Sequence, residues 1–320
     1  MSAARVTIDA IRNAENIIDP TFLHSPQLEF APLSTAVGCN IVLKIETLNP
    51  IRCFKGRGAD FLLAEARRTG DDRPIVCASA GNFGQAMAYS GARRGVPVSV
   101  FAAENASPFK IDRMRQLGAN VQLFGTDFDT AKEEARRYAA KAGARMVEDS
   151  KDVETVVGAG TIGLEMTRLE GAPLDAIVVP LGNGAMINGV ATAIKAISPT
   201  TRVIAVQASG APAMIESWRN NAVIESEFID TIADGIAVRV PVPEALADMQ
   251  EVVDDGVLVD DDLTIEAMKL IHWHAGLVAE PSGAIGLAAI LGHANQFADK
   301  RVATIICGSN LTRNQMRAWL

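Results

Sequence analysis

The feature that most constrains the fold is an alternation of short β-branched apolar runs with longer segments of helical period. This alternation is typical of a mostly parallel sheet whose strands are connected by helices. The predicted strands cover residues 40–45, 74–78, 96–101, 120–124, 176–180, 202–207 and 302–307. The predicted helices include 83–94, 107–117, 129–142 and 262–275, the last capped by Asp262. We therefore expect an α/β chain with open, twisted, mostly parallel sheets and helices on both faces.

The domain organisation must come from the fold itself, because the chain has no Gly/Ser-rich or Pro-rich linker, no repeat and no low-complexity tract. The compact βαβα stretch at 73–148 is expected to form a small domain. Residues 1–72 and 149–320 are then expected to form a large domain around it.

Composition excludes several classes of function. The chain has 320 residues, of which 48% are hydrophobic, so it can bury a large core. Its 30 basic and 38 acidic residues give a net charge of -8, which disfavours nucleic acid and anionic membrane surfaces as partners. No apolar run reaches the length of a membrane span, and we expect a cytoplasmic protein. Four cysteines without a C-x-x-C pair are expected to be reduced thiols: Cys39, Cys53, Cys77 and Cys307.

Residues directly after strands are the candidates for a site, because ligands of open α/β sheets bind at the carboxyl ends of the strands. The first candidate is ETLNPIRCFKGRGAD, where Lys55 lies between Phe54 and two glycines at a turn into a helix. Lys55 is either an ordinary surface lysine or a partly desolvated amine, and desolvation favours the neutral form that a Schiff-base nucleophile requires.

The second candidate is the turn ASAGNFGQAM, in which Ser79, Gly81 and Asn82 present a hydroxyl, an amide and a carboxamide together. Donors clustered at the start of a helix favour an anion. A tight turn with a capping residue explains this segment equally well.

The third candidate is AIVVPLGNGAMINGV, a glycine-rich turn from a strand into a helix that is typical of a phosphate-binding loop. Its spacing does not match G-x-G-x-x-G, and the next strand ends in Gln207 instead of an acid, so NAD is disfavoured. Asn183 replaces a glycine of an all-glycine loop, and we expect asparagine to tolerate a positive φ there. The fourth candidate is ATIICGSNLT, where Cys307 ends a strand; alone, it predicts a buried small side chain.

These four turns, together with TIADGIAVRVP (231–241) and LVAEPSGAIGLAAIL (277–291), occur in an order that resembles the serine/threonine dehydratases of pyridoxal-phosphate (PLP) fold type II, the tryptophan synthase β-like enzymes. Each motif is weak alone, whereas the order of all six is specific and covers nearly the whole chain. The resemblance implies a two-domain fold and PLP as the cofactor.

The resemblance also implies roles for individual residues. Lys55 is expected to form the Schiff base and to remove the α-proton, with Ser79 and Asn82 as further catalytic residues. The implied cofactor contacts are Phe54, Lys55, Asn82, Gly182, Asn183, Gly184, Ala185, Met186, Glu280 and Cys307. The implied substrate contacts are Ser79, Ala80, Gly81, Asn82, Phe83 and Gly235.

The implied reaction is the dehydration and deamination of a β-hydroxy-α-amino acid, such as L-threonine or L-serine, to a 2-oxo acid and ammonia. Cys307 falls where the family places the partner of the pyridine nitrogen. A neutral thiol there cannot hold that nitrogen protonated as an aspartate does, which suits β-elimination.

Several departures from the family pattern leave the substrate open. Ile51, Arg52 and Cys53 replace the usual Thr-Gly-Ser; Arg52 either selects an acidic substrate such as 3-hydroxyaspartate or, as we favour, extends to solvent. Phe83 replaces a common histidine, which would admit an aromatic substituent such as that of 3-phenylserine. Ala80 replaces the serine of racemising members, which argues against a racemase.

Two further functions fit a PLP fold. A β-replacement synthase is disfavoured by FKGRGA and SAGNFG, and a PLP carrier or sensor without turnover would keep the same cofactor contacts. Only LTRNQMRAWL follows the last motif, so we expect no regulatory domain of the biosynthetic dehydratase kind and a catabolic role. A homodimer is expected by analogy with the family. No divalent metal is predicted, because Gln207 and Ala213 stand where some members carry acidic ligands.

Overall fold

The structure is a computed structural model and describes residues 4–320. The strands are β1 Gln27–Glu29, β2 Asn40–Ile45, β3 Ile75–Ala78, β4 Val98–Ala102, β5 Asn120–Leu123, β6 Arg145–Val147, β7 Ala176–Pro180, β8 Arg202–Ala208, β9 Asp255–Val259 and β10 Arg301–Ile306. The helices are α1 Ile8–Glu15, α2 Ala31–Val37, α3 Lys55–Arg68, α4 Asn82–Arg94, α5 Pro108–Gln116, α6 Phe128–Ala142, α7 Val153–Met166, α8 Ala185–Ile197, α9 Ala213–Asn220, α10 Pro243–Val252, α11 Asp261–Ala275, α12 Pro281–Gly292, α13 Ala294–Phe297 and α14 Arg313–Trp319.

The larger sheet has six strands in the order β1-β2-β10-β7-β8-β9. Only β1 and β2 pair antiparallel; the other pairs are parallel. Its central strands β7 and β10 are buried along almost their whole length, as expected for a parallel sheet covered on both faces. Because β2, β10 and β7 are neighbours, the turns that follow them lie side by side at one edge of the sheet.

The smaller sheet has four parallel strands in the order β5-β4-β3-β6. All of them lie within residues 75–147, inside the segment predicted to form the small domain. Placing the domain boundaries at residues 73 and 149 stays a prediction.

Close helix packing fixes the two site helices relative to each other. Helix α7 packs against both α3 and α8, and glycines at the contacts allow the backbones to approach. A Cβ on Gly58 of α3 would lie 2.6 Å from the Thr155 carbonyl oxygen, and a Cβ on Gly163 would lie 2.6 Å from the Val190 carbonyl oxygen. The start of α3, with Lys55, and the start of α8 are therefore held by one shared helix.

The predicted strands and helices are found within one or two residues of their expected bounds, but three strands were not predicted: β1, β6 and β9. One cap was wrong. Helix α11 begins at Asp261, and the capping side chain is Asp260, which accepts a hydrogen bond from the Leu263 amide at 2.8 Å; Asp262 lies within the first turn.

The four cysteines are free and buried, in agreement with the expectation of reduced thiols. Over residues 4–320, no helix combines the length and apolar character that crossing a membrane would require.

Candidate active site

Lys55 is the first residue of α3, and the turn before it is tied to the C-terminal turn. The Phe54 amide donates to the Cys307 carbonyl oxygen at 3.0 Å, and Cys53 forms an isolated β-bridge with Gly308. The first and fourth candidate turns, far apart in sequence, thus lie side by side. We call the region bounded by the four candidate turns the cleft.

The Lys55 amine lies 4.6 Å from the centroid of the Phe54 ring and 2.6 Å from Oδ2 of Asp149. The two charged side chains are 15% and 9% exposed, so the ion pair is largely shielded from water. Asp149 was not predicted from the sequence. It comes two residues after β6, at the carboxyl end of the smaller sheet.

The second turn is a tight turn with a capping side chain, one of its two predicted interpretations; anion binding there stays a prediction. The Ser79 hydroxyl accepts hydrogen bonds from the amides of Gly81 at 3.2 Å and Gly84 at 2.9 Å, so it caps α4. Its own O–H remains a donor for a ligand. Ala80, beside it, is exposed.

A hydrogen-bond network joins the second and fourth turns across the cleft. Asn82 donates to Oε1 of Glu280 at 2.6 Å, and Asn310 donates to Oδ1 of Asn82 at 2.8 Å. The Asn310 amide also donates to Oε2 of Glu280 at 3.0 Å. Burial raises the pKa of Glu280, which is 2% exposed. The network orients the Asn82 carboxamide from both of its ends.

The third turn leaves amides free at the start of α8. Gly184, which precedes this 13-residue helix, provides no side-chain cap, so the first amides of α8 keep no intrahelical partner. The residue of this loop with a positive φ is Gly184, at +103°, and not Asn183. The loop therefore does not require asparagine to adopt a positive φ, contrary to the expectation. The Asn183 carboxamide instead points to Asp149, 3.5 Å from Oδ2.

Cys307 follows β10 inside the cleft wall. Its thiol is 3.3 Å from the Ser282 carbonyl oxygen, to which it donates. Burial raises the pKa of this thiol well above the ordinary value, and the nearby Glu280 carboxylate adds to the shift. Cys307 is therefore a neutral, protonated group.

Gly235 lies against the same network: a Cβ there would be 2.7 Å from Oγ of Ser282 and 4.0 Å from Oε1 of Glu280. This places the 231–241 stretch beside the cleft.

Phe83 and Arg52 differ in their accessibility. Phe83 is 7% exposed and belongs to a hydrophobic cluster that includes Val100 and Met114. Arg52 is exposed and has a φ of +54°, which agrees with the favoured orientation towards solvent. Whether Phe83 also contacts substrate stays a prediction.

The polar groups around the cleft fit an anionic, polar cofactor. Uncapped amides at the start of α8 suit a phosphate. Asp149 contacts both the Lys55 amine and Asn183 of the loop before α8, so the amine lies at the same end of the cleft as these amides. Residues at or next to the candidate turns also carry buried oxygen atoms that have no hydrogen-bond partner among residues 4–320: Oδ1 of Asp149, Oγ of Ser150, Oγ of Ser282 and Oδ1 of Asn310. Such unsatisfied atoms are expected where a polar ligand completes the hydrogen bonding.

Comparison with known proteins decides the family. The family model described as pyridoxal-phosphate dependent enzyme matches residues 18–308. The chain belongs to this family. It is 36% identical to the L-threonine ammonia-lyase of Thermotoga maritima over 313 residues, which cover 97% of this chain and 77% of that protein.

Two solved structures have the same fold. Maize serine racemase matches with a TM-score of 0.92 and 27% identity, covering 98% of this chain and 96% of that one. The processed threonine deaminase isoform 2 of Solanum lycopersicum matches with a TM-score of 0.88 and 30% identity, covering 97% and 92%.

These matches confirm the resemblance to the PLP-dependent dehydratases of fold type II, the α/β fold class, PLP as the cofactor and a family-level assignment to the ammonia-lyases. They do not test the roles of individual residues, which stay predictions. The structure brings Lys55, Asn82, Glu280 and Cys307 into one cleft with the 182–186 loop. It adds side chains whose part in the site the motifs did not indicate, above all Asp149 and Asn310.

Proposed function

We propose that this PLP enzyme dehydrates and deaminates a β-hydroxy-α-amino acid, with L-threonine or L-serine as the substrate, to a 2-oxo acid and ammonia. The observation that carries the proposal is the assembly of the Lys55 amine, the Asn82–Glu280 network and the uncapped start of α8 in one cleft. Relatives named threonine ammonia-lyase and threonine dehydratase, at 32–36% identity, support this reaction.

The cofactor supplies the electron sink for the carbanion formed at the substrate α-carbon. Lys55 holds the cofactor, and its amine, once released, takes the α-proton. The turn of Ser79, Gly81 and Asn82 is proposed to bind the substrate carboxylate, since it combines a hydroxyl donor with a fixed carboxamide at the start of a helix. The protonated Cys307 thiol supplies no negative charge to a pyridine nitrogen, which favours loss of the β-hydroxyl over reactions that need a stronger electron sink.

Racemisation is the second candidate because solved serine racemases share the fold. Ala80 argues against it as the main activity. Its methyl group has no acidic proton to give, so Ala80, which is exposed, cannot donate a proton to the substrate α-carbon from the face opposite Lys55. An acidic substrate, 3-hydroxyaspartate, and an aromatic one, 3-phenylserine, are the alternatives to L-threonine and L-serine.

The test is a panel assay of the purified holoenzyme with L-serine, L-threonine, 3-hydroxyaspartate and 3-phenylserine. Release of 2-oxo acid is measured in parallel with chiral analysis of the remaining amino acid. We expect L-threonine or L-serine to give the highest kcat/KM, with little of the D-isomer. Preferred turnover of 3-hydroxyaspartate or 3-phenylserine would show that the proposed substrate is wrong. Accumulation of D-serine without 2-oxo acid would show that the enzyme is a racemase and that the proposed reaction is wrong.

We also propose that the protein is a cytoplasmic homodimer. The free cysteines suit a reducing compartment, and exposed apolar side chains such as Trp273, 83% exposed, and Leu48, 67% exposed, offer surface for a symmetric interface. Sedimentation at micromolar concentration is expected to show twice the monomer mass. A monomer alone would contradict the dimer, and cell fractionation tests the compartment.

A further inference from the structure

We propose that Asp149 is a positioning residue for Lys55: it orients the released Lys55 amine and stabilises the positive charge that this amine gains when it takes the α-proton. The proposal rests on the proposed function for the identity of that proton. It concerns one juxtaposition, the carboxylate of Asp149 at 2.6 Å from Nζ of Lys55.

The free amine is the chemical state of Lys55 that matters for proton transfer, because only an amine not bound to the cofactor would have a lone pair to accept the α-proton. As a free amine, Lys55 donates to Asp149 and lies over the Phe54 ring. Among the ion pairs formed by residues 4–320, the pair with Asp149 is the one that Lys55 makes.

Charge development at Lys55 explains why a carboxylate is useful there. When Lys55 removes the α-proton, an N–H bond forms, the Cα–H bond breaks, and the electron pair stays with the substrate carbon and is delocalised into the cofactor. Lys55 then carries a full positive charge on a side chain only 15% exposed. A carboxylate at hydrogen-bond distance in a water-poor cleft stabilises this charge without reorganising solvent.

The surroundings of Asp149 distinguish it from a structural ion-pair partner. Its second oxygen, Oδ1, is buried and has no hydrogen-bond partner among residues 4–320, and the Asn183 carboxamide approaches Oδ2 only at 3.5 Å. The next residue, Ser150, has a φ of +71°, an uncommon conformation for a non-glycine residue, and its amide donates to Thr155 at 3.0 Å. The backbone is thus held in a strained turn directly beside a carboxylate that few protein groups satisfy, an arrangement typical of functional sites.

The first test uses the cofactor-free protein and does not depend on turnover. The Asp149 carboxylate engages the Lys55 amine at 2.6 Å, so Asp149→Asn removes a charge-assisted hydrogen bond and leaves the amine freer to react. We expect competitive labelling of Lys55 by acetic anhydride at pH 7, measured by peptide mass spectrometry, to become at least about threefold faster. Asp149→Glu, which keeps the charge, is expected to label at nearly the wild-type rate.

The control is Glu148→Gln. Glu148 precedes Asp149, but its carboxylate pairs with Arg136 at 2.7 Å and Lys132 at 2.9 Å and, among the ion pairs of residues 4–320, not with Lys55. Its removal should leave Lys55 labelling unchanged. Equal labelling of wild type and Asp149→Asn would overturn the proposal, whatever the substrate is.

The second test measures proton transfer in the loaded enzyme. For Asp149→Asn we expect kcat to fall about 10–100-fold, with KM within about threefold, because the lost interaction develops during proton transfer. The isotope effect with α-deuterated substrate should rise, and borohydride should still fix the cofactor to Lys55. A purely structural role would instead lower the melting temperature and cofactor content and leave the isotope effect unchanged, and that result would overturn the proposal. If the wild type releases no 2-oxo acid from any substrate, the proposed function fails, while the labelling result still stands.

Discussion

Lys110 of α5 and Asp234 form an ion pair that connects the unit of the smaller sheet with the segment beside Gly235. The Lys110 side chain is 9% exposed, and a Cβ on Gly81 would lie 3.6 Å from its amine. Burial acts to lower the pKa of Lys110, but the charges of Asp234 and Glu280 outweigh it and raise the pKa. A permanent cation therefore stands beside the turn that is proposed to bind the substrate carboxylate.

We predict that Lys110→Met raises KM for the amino acid at least about tenfold, because a charge-assisted contact to the substrate carboxylate is lost in a poorly solvated cleft. Steady-state kinetics on 2-oxo acid release measure the change, and the absorbance of bound cofactor should be unaffected. The matched control on the same helix is Arg115→Met, since Arg115 is half exposed and pairs with Asp112. A KM within about twofold of wild type for Lys110→Met would contradict the prediction.

We predict that Lys55→Ala abolishes both covalent attachment of the cofactor and turnover, because the variant lacks the amine at the start of α3 that the cleft encloses. Borohydride reduction followed by peptide mapping measures the attachment. Lys141→Ala, on the exposed side of α6, is the control and should behave as wild type. A borohydride-stable adduct with a normal rate in Lys55→Ala would refute the assignment.

A buried cluster of charged side chains lies next to the turn that carries Lys55. The Arg57 guanidinium, two residues after Lys55 and fully buried, contacts Glu46 at 2.8 Å and Glu165 at 2.6 Å. Lys44 pairs with Glu165 at 2.5 Å. Removing one member leaves uncompensated buried charge, which costs about 3–5 kcal/mol in comparable pairs.

This cluster predicts a specific acid sensitivity. Burial alone would raise the pKa of Glu165, but hydrogen bonds and charges from Arg57 and Lys44 outweigh it and lower the pKa to about 2. The stabilisation is therefore complete above the ordinary glutamate value of about 4.5 and is lost as the pH falls from there towards about 2.

We expect Glu165→Gln to lower the free energy of unfolding at pH 7 by about 3 kcal/mol and to flatten its decline below about pH 4.5. Urea unfolding at several pH values measures both effects. Asp112→Asn, at a 64% exposed side chain, is the control and should change neither. A variant that keeps the wild-type acid slope would contradict the role of Glu165.

The sequence predicted the elements and turns of this protein better than the contacts between them. β-Branched runs identify the central strands, because buried parallel strands are continuously apolar. The edge strand β6, three residues with Arg145 and Met146, lacks that pattern and was missed. Asp149 was missed with it, although position after a strand end was the signal that found the other turns.

The contacts made across the cleft have no signal in the local sequence. Lys55 and Asp149 are 94 positions apart, and Lys110 and Asp234 are 124 apart. Their pairing depends on how the two sheets pack, which motif spacing does not encode. Asn310 and Asp234 lie within recognised motifs, yet their partners become apparent only when both turns are placed in space.

The end of β8 is poorly suited to a divalent metal. Gln207 there is fully buried, and its Oε1 accepts a hydrogen bond from the Ile215 amide at 3.2 Å. Ala213, at the start of α9, is also fully buried and presents a methyl group. A hard divalent cation needs several anionic oxygen ligands to offset the loss of its water shell, and one amide oxygen already engaged by a backbone amide supplies too little.

Treatment of the wild type with a chelator should therefore leave both 2-oxo acid release and the melting temperature unchanged. Gln207→Asp is the informative variant, because it places a carboxylate at the end of β8 and tests whether charge alone creates metal sensitivity. A marked loss of activity in the chelated wild type, restored by Mg²⁺ and not by K⁺, would show that this interpretation of Gln207 and Ala213 is wrong.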